Sequence, residues 1–186
     1  MEQALDALCK ALDLAQRRRR EPVRPALHYP IYPAPRVAVV GAELDGPIGV
    51  RCLKDWTAKD LARMRPQALA GWWNDIAEVA RCVLAGDLEL PDLQFPIVVF
   101  SRAGSAPLPP RCHDLLWEWF RVPTLEQIRG SDGQLLAYEC AVRDGFHLAQ
   151  GADPDLLPLA RSAHRCPCGN PAPLYRVEEP LRAAAG

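Results

Sequence analysis

Cys166-Pro167-Cys168-Gly169 is the stretch of this chain richest in chemistry. Two thiolates one residue apart can share a metal ion, whereas a disulfide between them would close a strained ring. A glycine after the second sulfur can take positive φ and turn backbone amides toward the thiolates. A structural zinc needs four soft or borderline donors. Upstream, Cys140 and His147 flank a polar turn at Asp144-Gly145, where a strand leaves its sheet. Cys140, His147, Cys166 and Cys168 together make a Cys₃His set, and thiolate with imidazole favours zinc over magnesium or calcium. His164, two residues before Cys166, is a competing ligand, and Cys112-His113 is a second rival pair. As a nucleophile and base, Cys112 and His113 are discounted, because adjacent helix residues point in different directions.

Seven cysteines in a chain that opens Met-Glu-Gln, without the apolar stretch of a signal peptide, do not form a disulfide framework in a reducing compartment. The expected location is cytoplasmic. Cys9, Cys52 and Cys82 lie in or beside apolar faces and read as small buried thiols. A net charge of −1 argues against nucleic acid and anionic membrane as partners. The Arg17–Arg20 run reads as the solvated last turn of a helix. No apolar run approaches the ~20 residues of a membrane span.

Elements must bring these donors together. Residues 1–20 read as an amphipathic helix with Leu5, Leu8, Leu12 and Ala15 on one face, and residues 21–35, rich in proline, as a linker or strap. Residues 36–180 read as a single α/β domain. Strands are expected at 37–40 and, more weakly, 48–53. Thr57 with Asp60 marks a helix start. Pro66 opens another helix, along which Leu69, Trp72, Trp73, Ile76, Val79, Ala80 and Val83 recur at helical spacing. An almost wholly apolar strand over 96–100 is expected to be covered on both faces. A helix follows over 110–120, then strands over 124–129 and 134–142 around a Gly130–Gly133 turn. The tail from Leu156 reads as short and irregular. One member of each of the pairs Trp72/Trp73 and Trp117/Trp119 is assigned to the core, and the other is available to a partner.

Three stretches resemble the phenylacetate–CoA ligase branch of the adenylate-forming enzymes. The run from Val99 through Ser101, Gly104 and Pro107 to Leu108 is similar to the strand and Gly-x-Pro-Leu loop that carries adenine. The run from Phe120 to Gln127 is similar to the approach to the Tyr-Gly-x-Thr-Glu motif. Tyr138-Glu139-Cys140, Asp144-Gly145-Phe146-His147-Leu148 and the Cys-Pro-Cys-Gly element resemble zinc-type elements found in that branch. The resemblance covers roughly the last two fifths of the chain. It implies a nucleotide remnant at Gly104, Pro107, Leu108, Ser131 and Asp132, with AMP or an adenine nucleotide as its ligand. The pattern departs where catalysis would need it. Ile128-Arg129-Gly130-Ser131-Asp132 stands at the Tyr-Gly-x-Thr-Glu position, without the aromatic platform. No Ser/Thr/Gly-rich loop ending in lysine precedes it, the ribose-binding aspartate is missing after Leu159-Ala160-Arg161, and the lid lysine has no counterpart.

The expectation is therefore an α/β fold, a small mixed sheet with packed helices and a zinc-clipped C-terminal segment. Its expected function is that of a non-catalytic zinc-binding module acting through a protein partner or as a homo-oligomer. The rival reading is a small nucleotide- or acyl-handling enzyme built on residues 104–108 with Ser131 and Asp132.

Overall fold

The computed structural model of the chain describes residues 25–177. The helix expected over 1–20, with Cys9, lies outside the described residues. Apolar β-branched runs form the first half of the sheet. β1 (Val37–Val40) is buried throughout, with parallel neighbours β2 (Val50–Leu53) and β3 (Ala68–Trp72); β4 (Ile97–Arg102) and β5 (Thr124–Arg129) continue the parallel set. The chain then reverses through antiparallel β6 (Leu135–Glu139), β7 (Phe146–Leu148), β8 (Leu159–Arg161) and β9 (Leu174–Val177). Among the described residues one sheet of nine strands results, in the order β2-β1-β3-β4-β5-β6-β7-β9-β8.

Among the described residues three α-helices make three of the four parallel connections, and β1 joins β2 through a loop. In α1 (Ala58–Met64) the Thr57 hydroxyl accepts from the Asp60 amide at 3.2 Å and donates to the Asp60 carboxylate at 2.6 Å. This is the reciprocal cap that the Thr57/Asp60 spacing implies. The second helix, α2 (Trp73–Leu84), turns Ile76, Val79 and Ala80 inward; α3 (Pro110–Phe120) starts on proline and buries Leu116 and Phe120. These side chains pack with Ala38, Val40, Leu69, Ile97 and Val99 on one face of the sheet. On the other face Val37, Val39, Ala70, Val98 and Phe100 are covered by Leu27, Tyr29 and Leu44. The strand containing 97–100 is thus buried on both sides, as a parallel strand between two layers must be. Among the described residues no helix is long and apolar enough to cross a membrane.

The strand expected over 134–142 ends at Glu139, where a turn leads into the unexpected β7, and two further segments also differ. The helix expected from Pro66 starts only at Trp73, because residues 68–72 form β3 between β1 and β4. Ala-Leu-Ala-Gly-Trp has no β-branched residue, so local propensity points to helix. Pairing on both sides overrides it, and a side chain at Gly71 would meet Val40 at 2.6 Å. The tail from Leu156 is not irregular: β8 and β9 add two strands to the sheet, with the Cys-Pro-Cys-Gly element in the connection between them.

Candidate metal centre

Sheet register selects the side chains that can meet. In an antiparallel pair, directly opposite residues share a face. Phe100, Gln127, Tyr138, His147 and Leu174 stand opposite one another across β4, β5, β6, β7 and β9 and so form one row. Cys140 follows β6 two residues after Tyr138, on the same side as that row. The β8–β9 connection brings Cys166 and Cys168 over its end. The ligand atoms of Cys140, His147, Cys166 and Cys168 all lie within 4.8 Å of one another. Cys140 Sγ is 3.4 Å from Cys166 Sγ, and Cys168 Sγ is 3.3 Å from His147 Nε2. A tetrahedral zinc with bonds of about 2.3 Å to sulfur and 2.0 Å to nitrogen has ligand–ligand edges of about 3.5–3.8 Å. The observed separations bracket these edges.

The surroundings suit a cation. Cys140, Cys166 and Leu174 are buried together, with Cys168 packed against them. His147 is 0% exposed, and its Nδ1 has no hydrogen-bond partner. Burial holds the imidazole below its ordinary pKa, so the neutral ligand form is favoured. Burial and the neighbouring sulfurs push the Cys166 thiol up to about 11, with the Cys168 amide opposing. Burial also opposes ionisation of Cys168, but the Asn170 amide and the two other sulfurs carry it below the ordinary thiol value. A buried thiol beside an acidified one is the starting state that a divalent cation converts to paired thiolates. Asn170 N–H donates to Cys168 Sγ at 3.4 Å, and its side-chain amide donates to the Tyr138 hydroxyl at 3.2 Å. Tyr138 in turn lies beside the His147 ring and under the His28 ring, with centroids 5.8 and 4.1 Å away. The metal set is thus braced from the strap at residues 25–35. His164 is exposed and outside the cluster; Cys52, Cys82 and Cys112 also stand apart from it.

The nucleotide-remnant residues are split. Gly104, Ser131 and Asp132 line one cavity of about 460 Å³ at the C-terminal ends of β4 and β5. Pro107 and Leu108 line a different cavity on the α3 side. Asp132 Oδ1 accepts from the Gln134 amide at 3.0 Å and so caps its own turn.

Two features carried no sequence motif. Arg129 is 0% exposed, with its guanidinium 4.5 Å from the Phe100 ring; it donates to the carbonyls of Gly133 (2.8 Å) and Ala26 (3.1 Å) and to Gln127 Oε1 (2.7 Å). Burial pulls its pKa down to about 10. Gln127 also donates to the His28 carbonyl, so this pair fastens residues 26–28 to the sheet. The second feature is Glu126 in the middle of β5, with Glu139 at the end of β6. A charged residue inside an otherwise buried strand was the available signal.

Neither a protein family nor a curated protein matches the sequence. Among solved structures the chain is similar to an open conformation of 2-hydroxyisobutyryl-CoA ligase in complex with 2-HIB-AMP and CoA, at 12% identity and a TM-score of 0.45. That likeness covers 68% of this chain and 30% of the ligase chain, so this chain spans under a third of the ligase's length.

Proposed function

We propose that the chain is a zinc-stabilised binding module of the adenylate-forming type, acting through a protein partner or a second copy of itself and not as a ligase. One observation carries the metal reading: three cysteine sulfurs and one imidazole nitrogen from three separate segments converge within 4.8 Å. Four protein donors leave no position for water, which is the mark of a structural zinc. Zinc is chosen over iron or copper because a mixed sulfur and imidazole set with tetrahedral spacing suits a d¹⁰ ion without redox chemistry.

The non-catalytic reading is supported by what residues 129 and 132 are doing. Adenylation needs the phosphates neutralised and the acyl oxygen positioned together. Ile128 stands where the family's motif carries its aromatic platform and Arg129 where it carries its first glycine, and the Arg129 guanidinium is committed to two carbonyls and Gln127. Asp132 is committed to its own turn. A docking role is supported by the edge strand β2, next to which Ile48 is fully exposed.

The test has three parts. Elemental analysis of the purified chain should give one zinc, lost when Cys166 and Cys168 are both serine. Pyrophosphate exchange with ATP over a panel of aryl and fatty acids should be absent, and exchange that depends on Asp132 would establish the enzyme reading instead. Titration with AMP separates a nucleotide-sensing remnant from a module that binds no nucleotide.

A further inference from the structure

The opposite face of the sheet carries a second constellation. Glu126 and Glu139 flank the Gln127/Tyr138 register pair at its outer end, and Glu139 is paired in turn with Phe146 on β7. Like charges directly opposite on neighbouring strands destabilise a sheet, and burial raises that cost. Glu126 is only 1% exposed. Its Oε2 accepts from the Leu108 amide at 3.0 Å, while Oε1 has no hydrogen-bond partner. The Ser101 hydroxyl, also buried, lies close enough to Glu126 to oppose the effect of burial on its carboxyl. Glu139 Oε2 accepts from the Glu126 amide at 2.8 Å, which holds the second carboxyl beside the first.

Both carboxyls line a cavity of about 740 Å³. Its walls are mostly apolar, built from Pro107, Leu108, Pro109, Val142 and Phe146, with His113 and Arg143 also on the lining. His113 Nδ1 is buried without a partner. This volume falls within the range of small-molecule sites, which combine apolar walls with a few convergent polar groups. Burial pushes the Glu126 carboxyl upward, with Ser101 and the Leu108 amide opposing. Arg143 lies on the same lining, and among the described residues no ion pair joins it to either carboxyl.

We propose that this cavity is a binding site for a small organic cation, a primary ammonium group on an apolar or aromatic body, with Glu126 and Glu139 receiving the ammonium. An ammonium offers three donors to carboxylate oxygens that are already desolvated. A hard metal ion is disfavoured, because magnesium or calcium needs about six oxygens and the rest of the wall supplies proline, leucine, valine and phenylalanine. The site lies on the face away from the metal cluster and does not depend on whether the chain adenylates anything.

The experiment uses the full zinc-loaded chain and three probes on one phenethyl body: phenethylamine, 2-phenylethanol and 3-phenylpropionate. Binding is followed by calorimetry and by backbone amide shifts. Phenethylamine should bind, with shifts concentrated at Leu108, Glu126, Glu139 and Phe146. The alcohol and the acid should bind at least about tenfold more weakly, the scale of one lost charge-assisted hydrogen bond. Glu126→Gln should weaken the amine by a similar factor and leave the alcohol unchanged. Should E126Q not fold, Glu139→Gln takes its place, and the three-probe comparison on the unaltered protein stands by itself. Equal or tighter binding of the acid, amine binding insensitive to both substitutions, or no amine binding up to about 10 mM overturns the proposal.

Discussion

Removing the metal should open one end of the sheet and leave the other closed. Cys140, His147 and Cys166 are buried, and Cys168 is half-buried against them. With the ion gone, each becomes a desolvated polar group with at best a weak sulfur contact. At about 1–2 kcal/mol for each unsatisfied group, the four together cost about 4–8 kcal/mol. The low end is favoured because thiols tolerate burial better than amides do. The strands that would open share few contacts with the main core: β7 and β9 have two register pairs, Phe146↔Tyr175 and His147↔Leu174, and a small separate cluster joins Phe146, Leu157 and Leu159 to Ile128 and Ala137. The core between β1–β5 and the three helices contains no residue from β7, β8 or β9. The loss should therefore appear as local opening of residues 140–177. At 1.4 kcal/mol per factor of ten, amide protection in β7 and β9 should fall by about three to six orders of magnitude, up to the limit set by global unfolding. Native-state hydrogen exchange with and without a chelator, with metal removal verified by elemental analysis, measures this directly. Unchanged protection at His147, Leu174 and Tyr175, or an equal fall across β1, β3 and β4, would refute a local metal clip.

Three further outcomes are expected. His147→Ala should abolish stoichiometric zinc binding and His164→Ala should retain it, as read by a colorimetric zinc assay; the reverse pattern would move the fourth ligand to the exposed histidine. Arg129→Met should cost about 2–4 kcal/mol in urea denaturation, because the Ala26 and Gly133 carbonyls and Gln127 each lose a charged donor; the 25–30 segment should become protease-sensitive, and a neutral result would mean that Leu27, Tyr29 and the Gln127–His28 contact hold the strap without Arg129. Burial holds Glu126 above its ordinary carboxyl pKa, with Ser101 and the Leu108 amide opposing, so folding favours its protonated form. That contribution is present at low pH and lost as pH rises above the ordinary carboxyl range. The stability of the unaltered chain minus that of E126Q should fall over this interval, and a flat difference would contradict the assignment.

The parts of the fold legible in the sequence are those where one cause dominates. Val37–Val40 and Ile97–Phe100 are continuous apolar runs, and only strands buried on both faces need them. The expected bounds of the strand over 124–129 and the helix over 110–120 match the structure, because Pro110 and the Gly130–Gly133 turn punctuate them. The misread stretches are those where tertiary pairing overrode local preference. Residues 68–72 carry helix-forming alanine and leucine yet fill the slot between two parallel strands. The short strands β8 and β9 have too few residues to show a period, and prolines around them suggest irregular chain. The Cys140, His147, Cys166 and Cys168 cluster was legible because two cysteines one residue apart suit a shared ion better than a disulfide. The Glu126/Glu139 pair was not, since its meaning depends on a register that no local pattern reveals.

Register also links the two faces of the sheet. Side chains alternate, so slipping β6 by one residue against β5 or β7 would carry Glu139 to the face of His147 and remove Cys140 from it. Among the described residues β6 and β7 share three register pairs, and the turn joining them contains Arg143 and Gly145 at φ 58° and 143°. A pair that short is weakly specified by its own hydrogen bonds. An ion gripping Cys140 just after β6 and His147 within β7 would allow one pairing only, the pairing that sets Glu139 beside Glu126. The metal's structural work would then extend through the sheet: by fixing which residues of β6 face the strap, it would also fix which carboxyls line the cavity beneath α3. Chelation should accordingly weaken phenethylamine binding even though no metal ligand lines that cavity. Undiminished binding by fully metal-free protein would show that β5 and β6 hold their register without help.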